Sequence, residues 1–332
     1  MLYLRSTSHN AAYNIAFEEF VFRHLAPKED CFILWHNNPV IVVGKNQNTL
    51  EEINEEYCRE QGIRICRRLS GGGAVYQDIN CLDYTITSRE GRRGAFDFAK
   101  LSEPVIDCLK SLGVEASFTG RNDLQIDGAK FCGNAQLVAG DLIMHHGCML
   151  FDTDLDVLAK ALKVKALKLQ SKGRKSVRSR VTNIKAHMAD QSFTVEDFID
   201  ALYTYMKKHF DVKEYQLSPE EEAQVRAYQA MRNDNPDWVY GKNPPFTLSN
   251  QAYLPGGLVE ARVLVEHNKI EAIHFYGDFF GRKDVSELEA TLHGVEFSGE
   301  AILACLESVG LSDYFLGITA QELCDLITGA TS

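Results

Sequence analysis

A run of three glycines separates two arginines from an aromatic residue in Arg67-Arg68-Leu69-Ser70-Gly71-Gly72-Gly73-Ala74-Val75-Tyr76. Glycine is costly inside a helix or strand, so the apolar run Ile63-Arg64-Ile65-Cys66 must end in a loop here. With no Cβ in the way, successive N–H groups of such a loop can converge on one anion. Arginine adds a planar fork of donors suited to phosphate or carboxylate. The stretch therefore reads either as a tight turn with solvated arginines or as a cradle for a phosphorylated or carboxylated ligand. It is not a common nucleotide loop: G-x-x-x-x-G-K-[ST] is absent, and so is a G-x-G-x-x-G opening a helix.

The chain has 332 residues, 45% hydrophobic and 24% charged, enough for one large domain and a smaller one. A net charge of −11 argues against a general nucleic-acid or membrane-surface binder. No apolar stretch approaches the roughly 18 residues of a membrane span. Met1–Ser6 shows no signal peptide. Nine scattered cysteines with no C-x-x-C pair fit neither a zinc ribbon nor a disulfide framework. A cytoplasmic protein with reduced, mostly core thiols is expected.

Apolar spacing predicts a helix over Tyr13–Leu25, strands over Cys31–Trp35 and Val40–Val43, and one charged helix from about Glu51 to Gln61. Strands follow at Ile63–Arg67 and Asp83–Thr87, with a helix at Leu101–Leu112. A hairpin over Asp127-Gly128 joins Asp123–Ile126 to Ala129–Cys132, and Gln136–Val138 and Leu142–Leu150 continue the sheet. Residues 195–232 read as helical. Beyond 243, a hairpin around Asn268 and helices near Val285–Leu292 and Gly299–Val309 suggest a small second domain. Without a regular βαβ rhythm the expected class is α+β, with a mixed or antiparallel sheet. The expected division is 1–243 and 244–332.

Lys163–Lys185 inverts the charge locally. It carries Lys163, Lys165, Lys168, Lys172, Arg174, Lys175, Arg178, Arg180 and Lys185 with no acid. That pattern is either a solvated basic loop or a cover for a polyanion such as a nucleotide.

Three further constellations bear on chemistry: Gly120-Arg121-Asn122-Asp123-Leu124, Asp127-Gly128-Ala129-Lys130-Phe131-Cys132-Gly133-Asn134-Ala135, and His145-His146-Gly147-Cys148. The adjacent histidines of a strand face opposite ways, so a shared metal is not expected. Together these groups suit activation of a carboxylic acid by ATP. A carboxylate and an α-phosphate repel one another, and a lysine ammonium between them relieves it. Asp123 with Asn122 is placed to hold Mg²⁺ or a ribose.

RRLSGGGAVYQD, GRNDLQIDGAKFCGNAQ, HHGCMLFDTDL and KSVRSRVTNI, preceded by LEEINEEYCREQGI, resemble the lipoate–protein ligase A family in content and order from about residue 8 onward. GDFFG near the C-terminus resembles its accessory domain. The resemblance implies a biotin/lipoyl ligase-like fold and two steps: lipoate and ATP give lipoyl-AMP and pyrophosphate, then the lipoyl group passes to a lysine of an acceptor lipoyl domain or glycine-cleavage H-type protein. It implies that Lys130 is the central catalytic lysine, contacting acyl carboxyl and phosphate. Arg68, Ser70, Gly71, Gly72, Gly73, Lys130, Gly133, Ala135, His146 and Gly147 would hold lipoate, with Trp35 a candidate wall. Arg68, Gly73, Ala74, Val75, Tyr76, Asn122, Asp123, Lys130, Lys175, Arg178, Arg180, Thr182 and Asn183 would hold ATP or the adenylate, and Asp123 Mg²⁺.

The sequence departs from the family's His-Asp-x-Gly-Asn run, carrying Gln77-Asp78-Ile79-Asn80-Cys81. Asn80 would preserve the turn through its tolerance of positive φ. Cys132 and Cys148 stand where the family has Ser and Thr. These changes bear on acyl specificity and turnover more than on the fold. They also keep two alternatives open: an ATP-independent octanoyl or lipoyl transferase using the thiol of Cys81, Cys132 or Cys148, and a non-catalytic lipoyl-domain binder.

Overall fold

The computed structural model describes residues 1–89, 96–163, 180–241 and 245–330. Every residue of β2 (Cys31–Trp35) is buried, so both faces of the sheet around it must be covered. That sheet runs in the order β11 (Lys213–Glu214), β1 (Leu2–Arg5), β2, β6 (Cys81–Ser88), β10 (Leu142–Leu150), β9 (Ala129–Ala139), β8 (Asp123–Ile126), β7 (Ala116–Thr119). β1 is parallel to both neighbours and the other pairs are antiparallel. The fold is α+β, as expected.

Alternation in β2 splits the core. Phe32 and Leu34 pack with Tyr84 and Ile86 beneath α4 (Phe98–Ser111) and α6 (Val195–His209), which contribute Val105, Leu109, Phe198 and Leu202. Ile33 and Trp35 face the opposite layer, against Ala16, Phe17 and Phe20 of α1 (Ala11–Phe20). The Asn10 side chain caps α1 by accepting from the Ala12 amide.

A smaller sheet positions the glycine loop. β3 (Val40–Val43) lies between β4 (Arg64–Arg67), parallel to it, and β5 (Val75–Gln77), antiparallel. The loop therefore crosses the C-terminal end of β3 on its way from β4 to β5. A third, antiparallel sheet of β12 (Leu248–Leu254), β13 (Gly257–Glu266) and β14 (Lys269–Gly277) has its own core with α9 (Val285–Leu292), α10 (Gly299–Ser308) and α11 (Ala320–Thr328). It reaches the loop through Phe279 and Phe280. The Phe280 ring sits 5.4 Å from that of Phe98, and a Cβ on Gly71 would fall 2.4 Å from the Phe279 carbonyl oxygen. Lys45 pairs with Asp284 at 2.6 Å, and Arg262 with Glu51.

Several boundaries differ from the sequence reading. The single helix expected over 51–61 is two, α2 (Thr49–Glu52) and α3 (Glu55–Glu60). Buried Ile53 leaves the helix to bridge Leu162, and Asn54 restarts it by capping the Tyr57 amide. The helical stretch 195–232 is broken by β11, after which Ser218 and Glu221 form a capping box for α7 (Pro219–Met231). Gln136–Val138 is the continuation of β9 rather than a separate strand. The Asp127-Gly128 hairpin forms as read, both residues in the left-handed region at φ 51° and 77°. Residues 242–244, where the domain boundary is expected, lie outside the described residues. No helix among the described residues is long and apolar enough to cross a membrane.

Candidate active site

Lys130 opens β9, directly after the hairpin, and its ammonium lies 2.6 Å from Asp123 Oδ1 on the paired strand. A Cβ on Gly133 would sit 2.7 Å from Lys130 Nζ, so glycine there leaves the space the ammonium fills. Burial works against a charge at Lys130. The carboxylate of Asp123 outweighs it and holds the lysine above its ordinary pKa.

The two arginines before the glycine run serve the scaffold. Arg67 donates to the carbonyls of Gly44, Lys45 and Gln47 at 2.8–2.9 Å, to Trp238 and Val239 at 2.8 Å, and to Thr49 Oγ1 at 2.7 Å. Arg68 donates to Ser70 Oγ at 3.0 Å and to the carbonyls of Val42, Gly71 and Gly73 at 3.2, 2.7 and 2.8 Å. Burial lowers both guanidinium pKa values to about 10, so both stay charged at neutral pH. By taking the loop's carbonyls, Arg68 fixes the loop, with Gly73 and Ala74 at the cleft and Gly71 and Gly72 against Phe279 and Phe280. Among the described residues, no protein group accepts from the amides of Gly71, Gly72, Gly73 or Ala74. Gly72 sits at φ 87°, which a side chain would resist. A loop of unpaired donors braced by an arginine fits the anion cradle, with Arg68 its frame.

The histidine pair divides as the strand period requires. His145 lies on the helix side with Tyr84, Ser102 and Gln136, and burial drops its pKa to about 3. His146 faces the cleft. Its Nδ1 is 2.7 Å from Glu18 Oε1 and its Nε2 is 2.7 Å from Ser70 Oγ. A buried chain thus runs from Arg68 through Ser70 and His146 to Glu18, which also accepts from Thr85.

These elements border a cleft that opens to solvent. Arg68, Gly73, Ala74, Val75, Asn122, Lys130, Gly133, Ala135, His146 and Gly147 all line it, as does Trp35. Ile15, Val42 and Trp35 supply an apolar wall at one side. Asn122 bridges to the Asn134 carbonyl at 2.6 Å, tying the hairpin to β9. Other expected site residues stand behind this surface. Ser70 acts through His146 and Arg68, and Tyr76 packs in the core with Ile41 and Cys81. Thr182 donates its amide to the Lys130 carbonyl at 2.9 Å, placing this end of the basic tract beside the lysine. Asn183 is engaged with the Thr153 backbone through both ends of its amide. Arg180 is described, at the start of this segment. Lys175 and Arg178 lie outside the described residues.

The turn at Gln77–Cys81 needs no positive φ, contrary to the expectation for Asn80. Asp78 closes it by accepting from the Asn80 amide at 3.0 Å, and its backbone carbonyl accepts from Cys81. Gln77 donates to Asp83 at 2.6 Å and accepts from Asn37 at 2.8 Å. Of the three candidate thiols only Cys148 lines the cleft; burial pushes Cys81 and Cys132 well above the usual thiol range. Glu18, Asn37 and Asp83 were not among the expected site residues. The only sign of Glu18 in the sequence is an acid inside the apolar helix stripe.

Residues 10–207 match the model of the lipoyl protein ligase A/B catalytic domain, and residues 243–327 that of the bacterial lipoate protein ligase C-terminus. The lipoate-protein ligase LplJ of Bacillus subtilis is 41% identical over 317 residues, covering 95% of this chain and 96% of that protein. P. falciparum LipL1, solved in complex with lipoate, superposes with a TM-score of 0.82 at 23% identity over 99% of both chains, a likeness of fold. A bipartite lipoate protein ligase of Thermoplasma acidophilum, described with its E2 lipoyl domain, matches at 26% identity and TM-score 0.64, over 74% of this chain and 98% of that one.

Proposed function

The chain belongs to the lipoyl protein ligase A/B family, and on that footing we propose that its cleft activates lipoate with ATP and passes the lipoyl group to a lysine of an acceptor protein. The observation that carries this reading is the Lys130 ammonium in a cleft that Gly73 and Ala74 of the glycine loop also line, their amides without a protein acceptor among the described residues. The lipoate carboxylate attacks the α-phosphorus, an O–P bond forms, and pyrophosphate leaves. Lys130 lies between the two anions and offsets their repulsion. The amides of Gly73 and Ala74, at the cleft, hold the carboxylate or phosphate oxygens. The acyl chain lies along Ile15, Trp35 and Val42. In the second step the acceptor amine attacks the acyl carbon and AMP leaves.

ATP would lie between Lys130, Asn122 and the 180–183 segment, with Lys175, Arg178 and Arg180 supplying charge to the phosphates. Asp123 Oδ1 pairs with Lys130, and its second oxygen has no partner among the described residues. A carboxylate is the hard oxygen donor Mg²⁺ takes, so the residue fits such an ion, which would neutralise phosphate charge. The acceptor is a lipoyl domain or a glycine-cleavage H-type protein. The catalytic domain spans 1–243 and the accessory domain 244–332. A cytoplasmic setting suits nine free cysteines.

Lipoylation of an acceptor domain with and without ATP tests the reading. Transfer only with ATP supports it; equal transfer without ATP would place the chemistry on a cysteine instead.

A further inference from the structure

Two thiols on neighbouring strands meet in the wall of this cleft. Cys81 Sγ at the start of β6 lies 3.1 Å from Cys148 Sγ near the end of β10. Cys148 lines the cleft, and Cys81 sits behind it with no exposed surface. The contact with Cys81 holds the Cys148 thiol below the usual range in spite of burial; the Gln77 amide and the charge of Lys130 act in the same direction. Cys81 is pushed up by burial and by the sulfur next to it. Cys148 is therefore the more readily ionised of the two and the one that reaches the cleft, with a second thiol in contact behind it. Cys31, Cys66 and Cys108 lack this pairing and are pushed up to about 12 by burial.

We propose that Cys148 and Cys81 form an oxidant-responsive dithiol in the acyl cleft, with a hydroperoxide as its substrate class, and that closing their disulfide suppresses adenylation. The Cys148 sulfur, as its thiolate, attacks the terminal peroxide oxygen, the O–O bond breaks, and hydroxide (from hydrogen peroxide) or alkoxide (from an organic hydroperoxide) leaves, giving a sulfenic acid. The Cys81 sulfur then attacks the Cys148 sulfur. An S–S bond forms, the S–O bond breaks, and the oxygen leaves as water with the Cys81 proton. Two thiols are oxidised and one peroxide is reduced, two electrons each way. Because a disulfide spans about 2.05 Å, the sulfurs close by roughly 1 Å. That motion draws Cys148 off Gln77 and removes an ionisable thiol from the neighbourhood of Lys130. The loss of adenylation rests on the ligase reading; the disulfide itself does not.

The test treats the full-length protein with hydrogen peroxide, blocks free thiols without unfolding it, and maps the peptides. A Cys81–Cys148 disulfide is expected, and in Cys81→Ser a sulfenic acid at Cys148 captured by dimedone. Cys148 left as a free thiol while other cysteines react would overturn the proposal, and the wild-type map decides this even if the variant fails to fold. On the same samples, lipoate-dependent pyrophosphate release is expected to be lost and then restored by dithiothreitol. Unchanged release from fully oxidised protein would overturn the switch.

Discussion

Asp123 Oδ1 and Lys130 Nζ stand 2.6 Å apart across the β8–β9 hairpin, and that pair keeps a cation in the cleft before any ligand arrives. Its position follows from local chemistry. The Asp127-Gly128 turn fixes the hairpin, and the register shift after Leu124 sets Lys130 opposite Gln125, with Asp123 opposite Gly133.

Lys130→Ala should reduce lipoyl-AMP formation by at least roughly a hundredfold, since it removes preorganised charge at the site of reaction. The melting curve should stay close to wild type, because the ammonium sits on an open cleft. Single-turnover adenylation measures the first and circular dichroism the second. A wild-type rate would remove Lys130 from the mechanism.

The pH dependence carries a sign. Asp123 raises the Lys130 pKa against the effect of burial, so the ammonium persists further into alkaline pH and is lost as pH rises through the raised value. In Asp123→Asn the largest influence opposing burial is gone, and the alkaline limb of adenylation should move to lower pH. A limb that stays in place or moves upward would show that Asp123 does not set the lysine's charge.

Arg67 and Arg68 are adjacent, yet neither is predicted to behave as a simple ligand contact. Arg67→Met strands a set of buried acceptors, Thr49 Oγ1 and the carbonyls of Gly44 and Val239 among them. It should lower stability by at least about 3 kcal/mol in urea unfolding. A stable variant with weakened lipoate affinity would mean that Arg67 faces the substrate.

Gly147→Ala probes the floor of the cleft. A Cβ there would lie 2.4 Å from both Asn134 Oδ1 and Tyr84 Cε1. Such overpacking should cost about 1–3 kcal/mol and raise the KM for lipoate. An unchanged KM would move the acyl pocket elsewhere.

The parts legible in the sequence were those decided locally. Strands Cys31–Trp35 and Val40–Val43 are short apolar runs around an Asn-Pro turn, and they form at those bounds. The Asp-Gly hairpin set Lys130 in place for the same reason. Ile53 was not legible, because its departure from the helix is driven by burial against Leu162. β12 reads as polar, since the alternation in Leu248–Leu254 leaves one face of an edge strand half-exposed. Arg67 and Arg68 look identical as a dipeptide; only the tertiary arrangement of carbonyls around each one separates a brace for residues 44–49 from a brace for the glycine loop. Glu18 needed β10 to bring His146 against it.

The central claim is carboxylate adenylation in this cleft. Pyrophosphate release from ATP and Mg²⁺ by the purified protein, with lipoate present and no acceptor, measures it directly. The account predicts release that depends on lipoate and disappears in Lys130→Ala. No lipoate-dependent release from a folded wild-type protein would contradict it.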